Sequence, residues 1–225
     1  MSEYLIQDTT LTSIANAIRK KTGGTDQMTP EQMATEISNI KSGDDGSFKS
    51  VIERTASNPT LPSDLTSIGS YAFYHYNNLS LTSLPAGVTS ITNSVFYGCY
   101  NLVLTSLPSG VTSIEASAFD GCTNLALTSL PSGVKSIDGR AFYNCTNLAI
   151  ASIPAGVTNI GSNAFYYCSR LTSITFEGTP TTIASNAFRD CFKLTTINVP
   201  WAEGAVANAP WGATNATINY NYTGS

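Results

Sequence analysis

The chain has 225 residues, enough for one sizeable core and a small accessory unit. Charged residues make up 12% of it, with a net charge of −4 and a sequence pI near 4.9. That weakly acidic balance supplies no basic footprint for nucleic acid and no basic stripe for anionic lipid, so neither a nucleic acid nor a membrane is expected as a partner.

Residues 1–41 read as two short helices. Leu11, Ile14, Ala15 and Ile18 follow helical spacing, and Lys20-Lys21-Thr22-Gly23-Gly24 is a cationic helix end followed by Gly. Thr29 caps a second helix, with Pro30 at its first position and Gln32 closing a capping box, and Met33, Ile37 and Ile40 form its apolar stripe. A hairpin of that size is marginal alone, so its apolar stripes predict a homo-oligomer, contact with a partner, or simply a cover over the first coil. The motifs L-T-S-I-A-N-A-I-R-K-K-T-G and M-T-P-E-Q-M-A resemble the leader domain of phage and prophage tail, tail-fibre and baseplate proteins of Gram-positive bacteria. The resemblance implies attachment to a virion tail. Residues 42–60 form a linker, with Gly-Asp-Asp-Gly inside it, and a capping strand around Phe48 to Thr55.

The start, Met1-Ser2-Glu3-Tyr4, carries no signal-peptide pattern, and no apolar run approaches the roughly 18 residues of a membrane span. Synthesis in the bacterial cytoplasm is expected, with the product in the virion tail or, alternatively, remaining cytoplasmic. The sequons at Asn78, Asn144, Asn215 and Asn221 then read as chance products of an Asn/Thr-rich chain.

From Leu61 to Val199 the chain repeats every 23 residues. Phe73, Phe96, Phe119, Phe142, Phe165 and Phe188 mark six units, and Ile68, Ile91, Ile114, Ile137, Ile160 and Ile183 keep the same beat. One unit cannot bury its own apolar face, so units must stack with like residues in ladders. The V-T-S-I and L-x-L or L-x-x-I segments read as short strands between Gly-, Asn- and Pro-rich turns, with the Ala-Phe pair plugging a corner. Val199-Pro200 begins a seventh unit that is never completed.

The pattern V-T-S-I-G-x-x-A-F-x-x-C-x-N-L resembles the BspA-type (Treponema-type) leucine-rich repeat. The resemblance spans about residues 61–199 and implies a β-rich right-handed solenoid of six units, often used for protein binding or adhesion. Four units depart from the usual family spacing, carrying Leu-x-Leu-Thr-Ser-Leu-Pro; the fifth and sixth return to Leu-Thr-Ser-Ile. The departure leaves the strand register there open.

Cys99, Cys122, Cys145, Cys168 and Cys191 share one repeat position, with Tyr76 in the first unit. Parallel single thiols cannot converge on a metal, and an odd row of them does not make disulfides, so they read as buried small hydrophobes. No cofactor is expected. No nucleophile, metal or phosphate motif appears, and Glu115, Asp120, Asp138, Glu177 and Asp190 are scattered, so the chain reads as a non-enzyme. His75, the sole histidine, reads as a solvated loop residue.

Variation between units gathers beside Phe and Cys. Tyr74, His75, Tyr97, Tyr100, Tyr143, Tyr166, Tyr167 and Phe192 fall there and would form a stripe suited to a protein or cell-surface glycan. Unconstrained drift of turn residues would give the same pattern. Residues 200–225 read as a C-terminal cap, with Trp201 and Trp211 over the last coil and A-T-I-N-Y-N-Y-T as a closing strand.

Overall fold

A computed structural model describes residues 61 and 63–224. The helical hairpin expected at residues 1–41 and the capping strand expected near residues 48–55 lie outside the described residues. The rest is a solenoid whose six repeat units stack through one tight turn each, with two parallel sheets running along it.

The first sheet joins β1 (Ser90–Ile91), β2 (Ser113–Ile114), β3 (Ser136–Ile137), β5 (Asn159–Ile160) and β7 (Thr182–Ile183). Its register advances by one repeat at every step, Ser90 opposite Ser113 and Ile91 opposite Ile114. The isoleucines point inward and are buried, each adding about 1.5–3 kcal/mol of apolar burial. Coils too small to fold alone therefore become stable as a column.

The second sheet joins β4 (Ser152–Ile153), β6 (Ser173–Phe176), β8 (Thr196–Asn198) and β9 (Thr217–Asn219). It begins only in the fourth coil, and the strands expected from L-x-L in the first three coils do not form. Leu102, Leu104 and Leu107 all point inward, so Thr105 and Ser106 lie exposed side by side. Two adjacent outward residues break the in-out alternation a longer strand requires, and the fourth coil, with the same spacing at Leu148, Ile150 and Ile153, forms only the two residues of β4, paired with β6. In the fifth coil Leu171, Ile174 and Phe176 point inward, the last three residues alternate, and a four-residue strand results. The middle rung has moved by one residue, as the spacing difference foreshadowed.

The turn is held by backbone geometry that the repeat did not advertise. Tyr71, Ser94, Ser117, Arg140 and Asn163 sit at φ of 50–62°, and His75, Gly98, Gly121, Asn144, Tyr167 and Asp190 at 54–76°. A left-handed residue other than Gly costs about 1–2 kcal/mol. Each such pair lets alternate peptide units align along the solenoid axis. Phe73 N–H donates to the Val95 carbonyl at 2.9 Å, and Phe96, Phe119, Phe142 and Phe165 repeat the bond to Ala118, Ala141, Ala164 and Ala187. The Phe rings stack at centroid distances of 5.0–5.5 Å from Phe73 to Phe188, forming one unbroken column.

The cysteines are buried and form no disulfides with one another, lining the turn beside that column. Each thiol also donates to the Phe carbonyl of the preceding coil, Cys99 to Phe73 at 2.9 Å and Cys145 to Phe119 at 3.0 Å. Burial pushes the thiols of Cys122, Cys145 and Cys168 well above their usual range and that of Cys191 up to about 12.

Beyond Val199 the backbone completes a seventh coil that the motif does not announce. Phe188 N–H donates to the Trp211 carbonyl, Thr214 N–H to Gly212 and Ala216 N–H to Ala213, repeating the bonds of the turns below. β9 then pairs with β8, Thr196 opposite Thr217. Trp201 and Trp211 are buried against Phe176, at 5.3 and 6.0 Å between centroids, and shield the apolar end of the stack. The sequence motif fades here because Ala213 and Ala216 stand where the lower coils have Cys and Leu.

Candidate recognition surface

Stacking the turns brings their variable residues into four parallel columns. The residue after Phe gives Tyr74, Tyr97, Asp120, Tyr143, Tyr166 and Arg189. Tyr74 and Tyr97 stack at 4.8 Å, and Tyr143 and Tyr166 at 4.5 Å. Parallel rings at that separation cover each other's faces and turn edges and hydroxyls to solvent.

Asp120 leaves the third coil without a ring, and Arg140 fills the place. Its Nε donates to Asp120 Oδ2 at 2.8 Å, and its guanidinium carbon lies 4.0 Å from the Tyr143 ring centroid. Tyr97 is close enough to bias the guanidinium's charge as well. Burial raises the Asp120 carboxyl above its usual value, with Arg140 opposing that rise, and the pair leaves this stretch of the face neutral. Two tyrosine pairs and one guanidinium thus extend the column from the first coil to the fifth.

The second column is His75, Gly98, Gly121, Asn144, Tyr167 and Asp190. His75 is not the solvated loop residue expected. It is half-buried, edge-on to Tyr74 at 4.5 Å and Tyr97 at 5.2 Å, because its left-handed backbone turns the ring over Gly98. A Cβ on Gly98 would meet His75 Nδ1 at 2.5 Å, so the imidazole depends on the missing side chain beneath it. The third column is Asn77, Tyr100, Thr123, Thr146, Ser169 and Phe192. Tyr100, Tyr167 and Phe192 are the most exposed large apolar side chains among the described residues, at 44%, 41% and 58%. Tyr167 and Phe192 meet edge-to-face at 5.8 Å.

The fourth column was not singled out from the sequence. It runs Asn78, Asn101, Asn124, Asn147, Arg170 and Lys193, with Asn amides bridging coils, Asn147 Nδ2 to Asn124 Oδ1 at 3.4 Å. Reading the repeat column by column would have exposed the change from amide to cation. All eight aromatic and histidine candidates therefore share the turn face, the stacked rings in its first column and the most exposed ones in its second and third.

The scattered acids serve as braces. Glu115 accepts from Ser90 Oγ at 3.0 Å and from Asn93 N–H at 2.9 Å, and Glu177 accepts from Ser152 Oγ at 2.7 Å. Both carboxylates clamp the coil before them.

The sequence matches the family described as the BspA type leucine rich repeat region, in six copies, over residues 32–109 and 89–206. The chain belongs to the BspA-type leucine-rich repeat family. Among solved structures it is similar to the T. pallidum leucine-rich repeat protein, at 28% identity and a TM-score of 0.56 over 64% of this chain and 73% of that one. A leucine-rich cell surface protein from Faecalibacterium prausnitzii aligns at 25% identity and a TM-score of 0.43, over 63% of this chain and 54% of that one. No curated protein sequence matches. The BspA-type repeat accounts for the Phe column, the Cys row and the Ser-Ile sheet together, since all three recur at its period.

Proposed function

We propose that this chain is a non-catalytic recognition protein whose turn face binds a protein or a glycan. The observation that carries the reading is the division of labour within each coil. Core positions are fixed by stacking and strand positions by ladders, whereas Tyr74, Tyr97, Tyr143, Tyr166 and Tyr167 put large amphipathic rings at positions the stack leaves free to vary. Rigid tyrosines give contact area at little entropic cost, the property recognition surfaces use.

The leader resemblance supports placing the protein in a phage or prophage tail as a structural or receptor-binding component. Residues 1–41 would attach or oligomerise it, and residues 42–60 would link them to the solenoid. The second reading, favoured by the BspA-type repeat itself, is a host-encoded interaction module or adhesin. Immunogold labelling of purified virions separates the two: labelled tails support the first, and unlabelled virions beside labelled cell surfaces support the second. Removing residues 1–41 should lower the mass seen by size-exclusion with light scattering, and an unchanged mass would remove the oligomerisation role.

The binding face has its own test. Changing Tyr97, Tyr143 and Tyr166 together to Ser removes stacked contacts worth about 0.5–1.5 kcal/mol per pair, so melting should fall by only a few degrees. Binding of the labelled protein to a panel of bacterial cells should be lost. Full binding by the triple variant would show that the ligand lies elsewhere.

A further inference from the structure

The turn face changes character along the solenoid. Its first two coils offer Tyr74, His75, Tyr97 and Tyr100 with amides beside them, and the Asp120–Arg140 pair neutralises the next two. Coils five and six are different. Arg170 and Lys193 lie there in the fourth column and Arg189 in the first, all exposed, on either side of Tyr167 and Phe192. They are three of the five Lys and Arg side chains among the described residues, on a chain whose net charge is −4. The one carboxylate among them, Asp190, is already engaged by Arg189 at 3.8 Å and by the Tyr166 hydroxyl, whose acidity it weakens.

We infer that this patch is a subsite for an acidic polysaccharide, a sugar chain carrying carboxylate groups; the inference rests on the recognition reading above. Charge complementarity selects an anion. Exposed rings, Phe192 edge-on to Tyr167, select a partner with flat apolar faces, which a pyranose has. In the fifth turn the Phe165 and Tyr167 N–H groups are committed to Ala187 and Arg189 of the next coil. Those two donors are closed to the strand-addition route by which extended peptides gain affinity. Spacing argues the same way. Arg170 and Lys193 are one coil apart, roughly 4.8 Å, whereas same-face side chains of an extended peptide recur at roughly 6.6 Å.

The test uses the full chain immobilised for biolayer interferometry, with oligogalacturonate, its neutral methyl ester and poly-L-glutamate as probes. Oligogalacturonate should bind, weaken as salt is raised, and exceed the methyl ester by about tenfold. Arg170→Ser with Lys193→Ser, and separately Phe192→Ser, should each weaken it by about tenfold while melting is kept, since these side chains are exposed. Equal or tighter binding of poly-L-glutamate would assign the patch to acidic protein and overturn the inference. So would the absence of oligogalacturonate binding, or binding indifferent to both variants. If those results coincide with loss of cell binding in the Tyr97, Tyr143 and Tyr166 variant, the recognition face stands and only the anion subsite falls. If the tyrosine changes are also silent, both fall.

Discussion

The two sheets are built from the same repeat by the same chain, yet one runs through five coils and the other starts late. On the Ser-Ile side the inward residues keep one position in every unit, and the ladder is continuous from β1 to β7. On the Leu side the middle inward residue stands two places after the first Leu in the early coils and three places after it in the fifth and sixth. Constant period brings like residues together. It does not make a strand unless alternation within the unit agrees with the pleat.

The comparison can be broken most severely through what both sheets share. Phe119→Ala opens a gap in the stacked column and should cost about 3–5 kcal/mol, read as a shift in the urea midpoint. A loss below about 1 kcal/mol would mean the column closes up around the gap, contrary to close packing.

Moving the register sharpens the contrast. Exchanging Leu127 and Thr128 in one coil puts a Leu outside and a hydroxyl inside the first four coils' own pattern, and should cost about 2–4 kcal/mol. Making the equivalent exchange at 81/82, 104/105, 127/128 and 150/151 together should recover much of that loss and increase the strand signal in far-UV circular dichroism. No gain in strand signal would show that the spacing is not what stops the second sheet.

The thiol row gives a smaller and simpler effect. A thiolate is the reactive species, and burial holds these thiols protonated, so a disulfide reagent should leave all five untouched in the native protein and modify all five in denaturant. Cys191, at 4% exposure where the other four are at 0%, should be the first to react as structure loosens. Rapid native labelling would contradict the burial.

The smallest effect concerns Asp120. Its folded pKa is raised above 3.8 by burial, so the unfolded chain gives up that proton first as pH rises. Wild-type stability should therefore fall relative to Asp120→Asn from about pH 3.8 up through the raised value, then run parallel above it. A difference that grows in the opposite sense would mean that pairing with Arg140 outweighs burial.

The inward residues were legible because period and apolarity report them directly, and the spacing change at Leu171 was visible too. The turn was not. Left-handed backbone at Tyr71, Arg140 and Tyr167 carries no residue signal, since neither Gly nor Asn stands there. His75 looked solvated because its burial comes from Tyr97 and Gly98 one coil away. The seventh coil was hidden for the opposite reason: its backbone repeats while its side chains shrink to Ala213 and Ala216.

Native-state hydrogen exchange tests the stacked turns most directly. The amides of Phe96, Phe119, Phe142 and Phe165 should exchange together and slowest, through global unfolding, and those of Thr105, Ser106, Thr128 and Ser129 much sooner. Fast or widely scattered exchange among the four Phe amides would mean that the coils are not joined through their turns.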